Sequence, residues 1–369
     1  MENKEELLYQ IALTLIPNIG SITAKKLLEK NPSAKAIFKE IPSFFEGISG
    51  IRKDTRRSIL ENKDIALKRA EKELGFVDRF NINVLSFFSD DYPKKLKHCD
   101  DSPPVLYFKG SCNINNHKTI GIVGTRKATK YGKSCVSDFI EQIKIYEPII
   151  VSGLAEGIDT SAHFSSIKNN VSTIGCLGHG LDKIYPSENR KIAEQMIEKG
   201  GLLTEFLSKT KPDRENFPKR NRIIAGLCDV LLVVESGKRG GSLITTEIAN
   251  SYNRDVFAFP GRIGDLQSEG CNKLIFNNKA HAYTCFEDFI QLMGWKEKEP
   301  STSKKNDPLL TNLTDEEKRL VSFLKEKERA SFDEISLALN VSVSELSVTL
   351  FSLEIKGVVK SLPGKNYSL

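Results

Sequence analysis

The chain has 369 residues, 39% of them hydrophobic, which is enough to bury a sizeable core spread over two or three domains. Its 54 basic and 48 acidic side chains leave +6 at pH 7, too mild a balance to announce a polyanionic partner, so the placement of the cations matters more than their sum. Seven scattered cysteines without a CxxC pair and five histidines without HExxH argue against disulfides and metal. The absence of any membrane-length apolar run, and a start unlike a signal peptide, lead us to expect a cytoplasmic protein with no membrane partner.

Residues 1–75 read as a helical domain, with helices expected over Leu7–Leu15, Ser21–Lys30 and Arg52–Leu60. Glycine turns join them at Pro17-Asn-Ile-Gly20 and Gly47-Ile-Ser-Gly-Ile51. Such turns occur in SAM-like and helix-hairpin-helix domains, where backbone amides hold duplex phosphates, but a bundle using glycine only for tight turns accounts for them equally well.

Residues 76–295 form the second expected domain. From Thr119 onward short apolar runs alternate with helical stretches: Thr119–Val123, Pro148–Val151, Ser172–Cys176, Leu202–Phe206, Val230–Val234 and Val256–Phe259. This is an α/β pattern, an extended Rossmann-like and mostly parallel sheet with helices on both faces. Ligands of such sheets bind at the carboxyl ends of the strands, where Arg126, Ser152-Gly153, Gly178–Gly180, Glu205–Arg222 and Gly237–Ser242 should converge.

Three loops at strand-to-helix turns are cationic. Gly121-Ile-Val-Gly-Thr-Arg126 opens a Lys127, Lys130, Lys133 series without an acid among them; Phe217-Pro-Lys-Arg-Asn-Arg222 sets a ring beside Lys219, Arg220 and Arg222; Gly237-Lys-Arg-Gly-Gly-Ser242 enters another helix. A cationic turn with one aromatic face suits a polyanion that carries stackable rings, which is single-stranded nucleic acid. The usual cofactor marks are missing. In Gly124–Ser134 the first glycine stands too far from Gly132-Lys-Ser134 for a phosphate cradle, and no GxGxxG follows the first strand, so no cofactor is expected. Ser152–His163 holds a serine, a histidine and two acids but lacks the GxSxG elbow; no catalytic residue is expected there, and His163 is read as packed on its helix.

Residues 296–310 are polar and Pro/Ser-containing, a linker. Residues 311–369 carry three S/T-x-x-E capping boxes, Thr314–Glu317, Ser331–Glu334 and Ser342–Glu345, followed by a terminal hairpin, the outline of a winged helix. Its candidate recognition helix, Ser342–Lys356, has no Arg or Lys until its end, and the segment holds 8 cations against 9 anions. Duplex readers need phosphate-neutralising cations, so a transcription-regulator role is disfavoured against a protein-contact or structural one.

These residues resemble the bacterial DNA-processing protein A family (DprA, also called Smf). The likeness rests on Asp91-Tyr-Pro, Pro103-Pro-Val-Leu-Tyr107, Val123-Gly-Thr-Arg126, Ser152–His163, Gly180–Pro186, Gly201–Glu205, Phe217–Arg222, Gly241–Thr245 and Val256–Gly261, in register over roughly residues 85–285. The resemblance implies a protein that binds single-stranded DNA, forms a homodimer and helps load the RecA recombinase during natural transformation. It places a phosphate-binding arginine at Arg126, a loop cation at Arg214 and the base-stacking ring at Phe217. The family's basic residue after the Tyr-Pro of this segment is Ser187 here, so Lys183 takes that role. The full expected DNA-binding set is Gly124, Thr125, Arg126, Ser152, Gly153, Lys183, Arg214, Phe217, Lys219, Arg220, Asn221, Lys238, Arg239, Gly241 and Ser242. The dimer is expected around Cys271–Phe289, rich in Leu274, Ile275, Phe276, Tyr283, Phe286 and Phe289. A competing resemblance, to phosphoribohydrolases of lysine-decarboxylase-like fold, would make Glu247 of Gly240–Glu247 a general base; against it, Lys238-Arg239 replace the expected proline, and the Phe217–Arg222 element has no place in a small-molecule site.

Overall fold

The computed structural model describes residues 4–39, 53–115, 117–296, 314–327, 329–356, 358–362, 364 and 366–368. The expected glycine turn at Gly47–Ile51 and all but the first residue of the expected linker fall outside them. The chain divides into two compact units, Met1–Glu297 and Lys298–Leu369.

The first unit is built on a nine-stranded sheet in the order β1-β2-β6-β5-β4-β3-β7-β8-β9. Its strands are β1 (Asn83–Ser86), β2 (Val105–Gly110), β3 (Thr119–Val123), β4 (Ile149–Ser152), β5 (Ser172–Cys176), β6 (Gly201–Thr204), β7 (Val230–Val233), β8 (Asp255–Ala258) and β9 (His281–Ala282). From β6 to β9 all neighbours are parallel, while β1 and β2 extend the sheet antiparallel beyond β6. The chain winds outward from β3 through β4, β5 and β6, then returns to place β7 on the other side of β3. That reversal leaves a crevice at the carboxyl ends of β3 and β7.

The central strands β3, β4 and β7 are buried along their whole length because both faces are covered. On one face Ile120, Ile122, Ile150, Val230 and Leu232 pack against the helices Lys130–Ile143, Ile158–Lys168 and Phe286–Met293. On the other, Val123, Ile149, Val151, Leu231 and Val233 pack against Asn216–Leu227 and neighbouring helices. The residues alternate between the two cores along each strand, as a pleat requires.

The helical region is not a separate body. The helix Lys53–Phe80 runs through the expected border at residue 75. Its cluster with Ile11, Leu27 and Ile59 includes Val105 and Tyr107 of β2. Buried Glu73 fastens the helix to the loop after β6, accepting from Ser208 N at 2.8 Å and Ser208 Oγ at 2.6 Å, with Arg69 alongside at 2.8 Å. The turn Pro17–Gly20 lies against this assembly: Ile19 is buried, and Lys25 of the following helix donates to the carbonyls of Cys99 and Asp100 at 3.1 and 3.4 Å. Ile19 anchors the turn in the core, while Pro17, Asn18 and Gly20 stay exposed.

The second unit has helices Asp315–Lys327, Phe332–Leu339 and Val343–Ile355 beside a three-stranded sheet in which β12 (Asn366–Ser368) lies between β10 (Ala330–Ser331) and β11 (Lys360–Leu362). All three expected capping boxes form: Thr314 N donates to Glu317 at 2.9 Å and Glu317 N to Thr314 Oγ1 at 3.3 Å, and the Ser331–Glu334 and Ser342–Glu345 pairs do the same. Glu317 also accepts from Lys356 Nζ at 2.7 Å and Ser352 Oγ at 2.7 Å, tying the first helix to the third.

Lys356, Ser352 and the Thr314 amide hold the Glu317 carboxyl down to about 2 from its ordinary 4.5. A lowered folded-state value stabilises the unit above pH 4.5 and is lost as pH falls toward 2. Circular dichroism of the wild-type chain should therefore show acid loss of the C-terminal unit across that window. Glu317→Gln should be less stable at neutral pH and flatter across the window; an identical pH dependence in both would show that the ion pair is idle.

Candidate nucleic-acid interface

A groove of about 680 Å³ lies at the β3/β7 crevice. One wall is the turn after β3, Gly124-Thr125-Arg126, held by Thr125 N donating to Glu235 O at 2.7 Å. The opposite wall is the first two turns of the helix Asn216–Leu227. Phe217, Arg220, Asn221 and Ile224 line the groove because they recur at helical spacing on one stripe. Arg214 stands just before that helix, and Arg239, Gly240 and Gly241 close the third side.

Phe217 is half-buried and shared by two neighbours. The Arg126 guanidinium lies 5.5 Å from its ring centroid, a cation–π arrangement, and Tyr185 stacks on it with centroids 6.3 Å apart and 27° between planes. Tyr185 is 49% exposed, so the loop after β5 supplies a second ring near the groove. Sequence reasoning did not single it out, although a tyrosine beside Pro186 in a glycine-bounded loop was a usable signal.

Beneath the groove sits a buried ionic cluster. Arg220 donates to the carbonyls of Gly153 and Cys176, the latter at 2.5 Å. Asp159, the compensating charge, accepts from Gly153 N at 3.1 Å and Ala155 N at 3.3 Å. Burial pushes the Asp159 carboxyl up and the Arg220 guanidinium down, and each charge opposes the other's shift. Backbone geometry makes room for this. Gly157 enters the helix Ile158–Lys168 at φ +82°, where a side chain would meet the carbonyls of Thr125 and Arg126. At Gly153 any Cβ would strike the Arg220 guanidinium. Leu154 holds φ +57° with its side chain fully buried, a conformation that costs on the order of 1–3 kcal/mol and survives because packing over-determines it.

Several expected contact residues are placed elsewhere. Arg220 is buried and its Nη1 donates to two carbonyls, so it supports the groove and presents no free cation to solvent. The Ser152 hydroxyl donates to Ile122 O at 2.6 Å inside the sheet, and the Gly153 amide is taken by Asp159, which leaves neither for a phosphate. Lys219 lies on the other side of its helix with Arg222, which is tied to Glu205, to the Asp101 carbonyl and to the helical region at Ser21. Lys183 is outside the groove lining, 3.8 Å from Asp182, and Lys238 is exposed beside the lining. Ser242 lines the groove but its hydroxyl donates to Ser236 Oγ at 2.9 Å. Gly124, Thr125, Arg126, Arg214, Phe217, Asn221, Arg239 and Gly241 do come together. The helix Gly241–Ser251 has no side-chain cap, and its N-terminal residues Gly241 and Ser242 line the groove.

The tempting catalytic and nucleotide readings meet occupied groups. His163 is fully buried, its Nδ1 paired with Thr173 Oγ1 at 2.7 Å, and burial brings its pKa down to about 3. At the Gly132-Lys-Ser segment the helix entry already carries an internal anion: Glu235 accepts from Thr129 N at 2.9 Å and Thr129 Oγ1 at 2.5 Å. Glu247 stands outside the groove, paired with Lys279 at 2.6 Å. Among the described residues no group of three His, Cys, Asp or Glu has metal-binding geometry.

A family model for DNA recombination-mediator protein A matches residues 83–294, and one for the DprA winged helix domain matches 304–365. Protein Smf of Synechocystis sp. is 31% identical over 100% of this chain and 99% of its own length. The DNA processing protein DprA of Bacillus subtilis is 43% identical over 57% of this chain and 71% of its own. The X-ray structure of DprA from Streptococcus pneumoniae superposes with a TM-score of 0.59 at 33% identity, covering 74% of this chain and 98% of that one. That of DNA processing protein A from Helicobacter pylori, described for its single-stranded DNA binding mode, gives 0.53 at 27%, covering 58% and 96%.

The two arginines should separate by role. Arg220→Gln leaves Asp159 and two buried carbonyls uncompensated and should cost about 3–5 kcal/mol of stability, whereas exposed Arg126→Gln should stay within about 0.5 kcal/mol of wild type. Urea midpoints measure both; equal midpoints for wild type and Arg220→Gln would refute the scaffold role.

Proposed function

The chain belongs to the DNA recombination-mediator protein A family, and from that premise we propose that it holds single-stranded DNA along the β3/β7 groove, shields it, and loads RecA onto it during natural transformation. The observation that carries the reading is the Arg126–Phe217 pair, a cation poised on a half-exposed ring beside an uncapped helix entry. Arg126, Arg214 and Arg239 take phosphates, the Gly241 amides add a fixed partial charge, and a base extends the Tyr185–Phe217 stack. No bond is made or broken in this scheme, so the protein acts as a binding mediator without cofactor.

The C-terminal unit does not hold the DNA in this reading. Its third helix exposes Val348, Phe351 and Ile355 where a duplex reader would present cations, a surface suited to protein contact. We extend the proposal to a homodimer near Cys271–Phe289, with a narrower surface than the sequence alone implied. Cys271, Leu274 and Phe289 are buried in the unit's own core and Tyr283 stacks on Phe259 at 4.2 Å, which leaves Phe276 as the large exposed side chain of that set. Light scattering at micromolar concentration checks it, and Phe276→Asp should shift the mass toward monomer.

A gel shift with oligothymidylate and an equal-length duplex across a salt series tests the core of the proposal. Single strands should bind more tightly without nucleotide or metal. Phe217→Ala should cost about 1–3 kcal/mol at unchanged salt slope, and Arg126→Ala should lower the slope by roughly one contact. Removing residues 309–369 should leave affinity within a few-fold. Equal affinity for duplex would sink the single-strand reading, and RecA filaments that form on protected strands no faster with the protein than without it would remove the loading role.

A further inference from the structure

A second depression, of about 1000 Å³, opens beside the first. It lies between the entry of the helix Lys130–Ile143 and the loop Pro260–Ser268 that follows β8. The two hollows are lined by neighbouring stretches of the same two segments. Arg126 of the first stands three residues before Thr129 of the second, on the way into the helix Lys130–Ile143, and Glu235 of the second precedes Gly237 of the first by two residues. The chain after β8 is pinned to the second of these segments, since Ser236 N donates to Gln267 O at 2.7 Å and Ser236 O accepts from Gly270 N at 2.8 Å.

The chemistry of this hollow repeats that of the groove. Tyr131 is 52% exposed, and its hydroxyl donates to Pro260 O at 3.0 Å, which fixes one edge of the ring and leaves the rest open. Lys130 and Arg262 are exposed and line the hollow with it, and the one exposed carboxylate among the described lining residues is Asp265. The helix entry cannot serve as a site for a free phosphate, because Glu235 already occupies it. What remains is an aromatic surface and two cations in one open trough, which fits a polymer passing through better than a small anion held at one point.

We propose that this hollow is a second subsite for the same single strand: a strand leaving the Phe217 groove crosses the loop at Gly237–Arg239 and lays a further base against Tyr131, with phosphates beside Lys130 and Arg262. The assignment rests on the single-strand reading of the first groove and lengthens the footprint around the carboxyl edge of the sheet, from the helix layer that carries Phe217 to the layer that begins at Lys130.

Fluorescence anisotropy with oligothymidylates of about four and about sixteen nucleotides separates the two sites. Tyr131→Ala and Arg262→Gln should bind the short strand like wild type and the long one roughly ten-fold more weakly, with the Arg262→Gln salt slope lower by about 0.7. Tyr131→Phe keeps the π-face and should retain long-strand affinity; a loss equal to that of Tyr131→Ala would mark a structural defect and overturn the stacking role. Phe217→Ala should weaken both lengths. If Tyr131→Ala and Arg262→Gln hold the long strand as tightly as wild type while Phe217→Ala weakens it, the second subsite is wrong and the first stands. If Phe217→Ala changes neither length, the underlying single-strand reading fails instead. Photocrosslinking of 5-bromouracil-substituted strands to the wild-type chain should yield an adduct on the Tyr131 peptide, and adducts confined to the Phe217 peptide would count against the subsite.

Discussion

The groove depends on one buried cation. Arg220 reaches from the helix that carries Phe217 to the carbonyls of Gly153 and Cys176, and so joins the loops after β4 and β5 to the wall of the site. A guanidinium in the interior needs hydrogen-bond acceptors and a counter-charge nearby: the two carbonyls take Nη1, Nε is left without a partner, and Asp159 supplies the charge while its own oxygen caps the Gly153 and Ala155 amides. This brace ties the helix that carries Phe217 to the sheet, beside the turn that carries Arg126.

Helical periodicity sorts the charges of this segment. Lys219, Arg220 and Arg222 are near neighbours in sequence, yet one faces solvent, one supports the groove and one fastens the helix to Glu205 and the N-terminal helices. The same 3.6-residue spacing that carries Phe217, Asn221 and Ile224 into the groove carries Lys219 and Arg222 out of it. The water-facing cations that remain, Arg126, Arg214 and Arg239, come from three separate loops, and the strand reversal at β3 and β7 is what brings those loops together.

The periphery is tied to this centre by polar contacts as much as by apolar packing. Glu73 satisfies the amide and hydroxyl of Ser208 just downstream of β6, and Lys25 satisfies two carbonyls after the short helix Lys94–Lys97. These bonds explain why the helical region and the sheet form one unit: separated, each partner would expose or strand a buried polar group. The C-terminal unit closes on its own ion pair, Glu317 with Lys356, over a core of Leu320, Leu324, Ile335, Leu346, Leu350 and Leu353.

Much of the architecture follows from local pattern. The parallel strands from β3 to β8 were legible as apolar runs alternating with helices, and the capping boxes of the winged helix were legible because an S/T-x-x-E signal is satisfied within four residues. Strands β1 and β2 were not legible as strands, since β2 joins the sheet by pairing with β6, about a hundred residues away, and β1 joins it only through β2. The same limit governs the site. The sequence by itself determined the cationic turns and the Phe217 ring, because each depends on neighbours in the chain, and the alternation of strands and helices pointed to the strand ends as their meeting place. Only the tertiary structure decided that Arg220 and Ser152 are buried, that Lys219 turns away, and that Tyr185 and Tyr131 stand at the surface beside the groove, because burial and long-range hydrogen bonding are set by partners that no local pattern names.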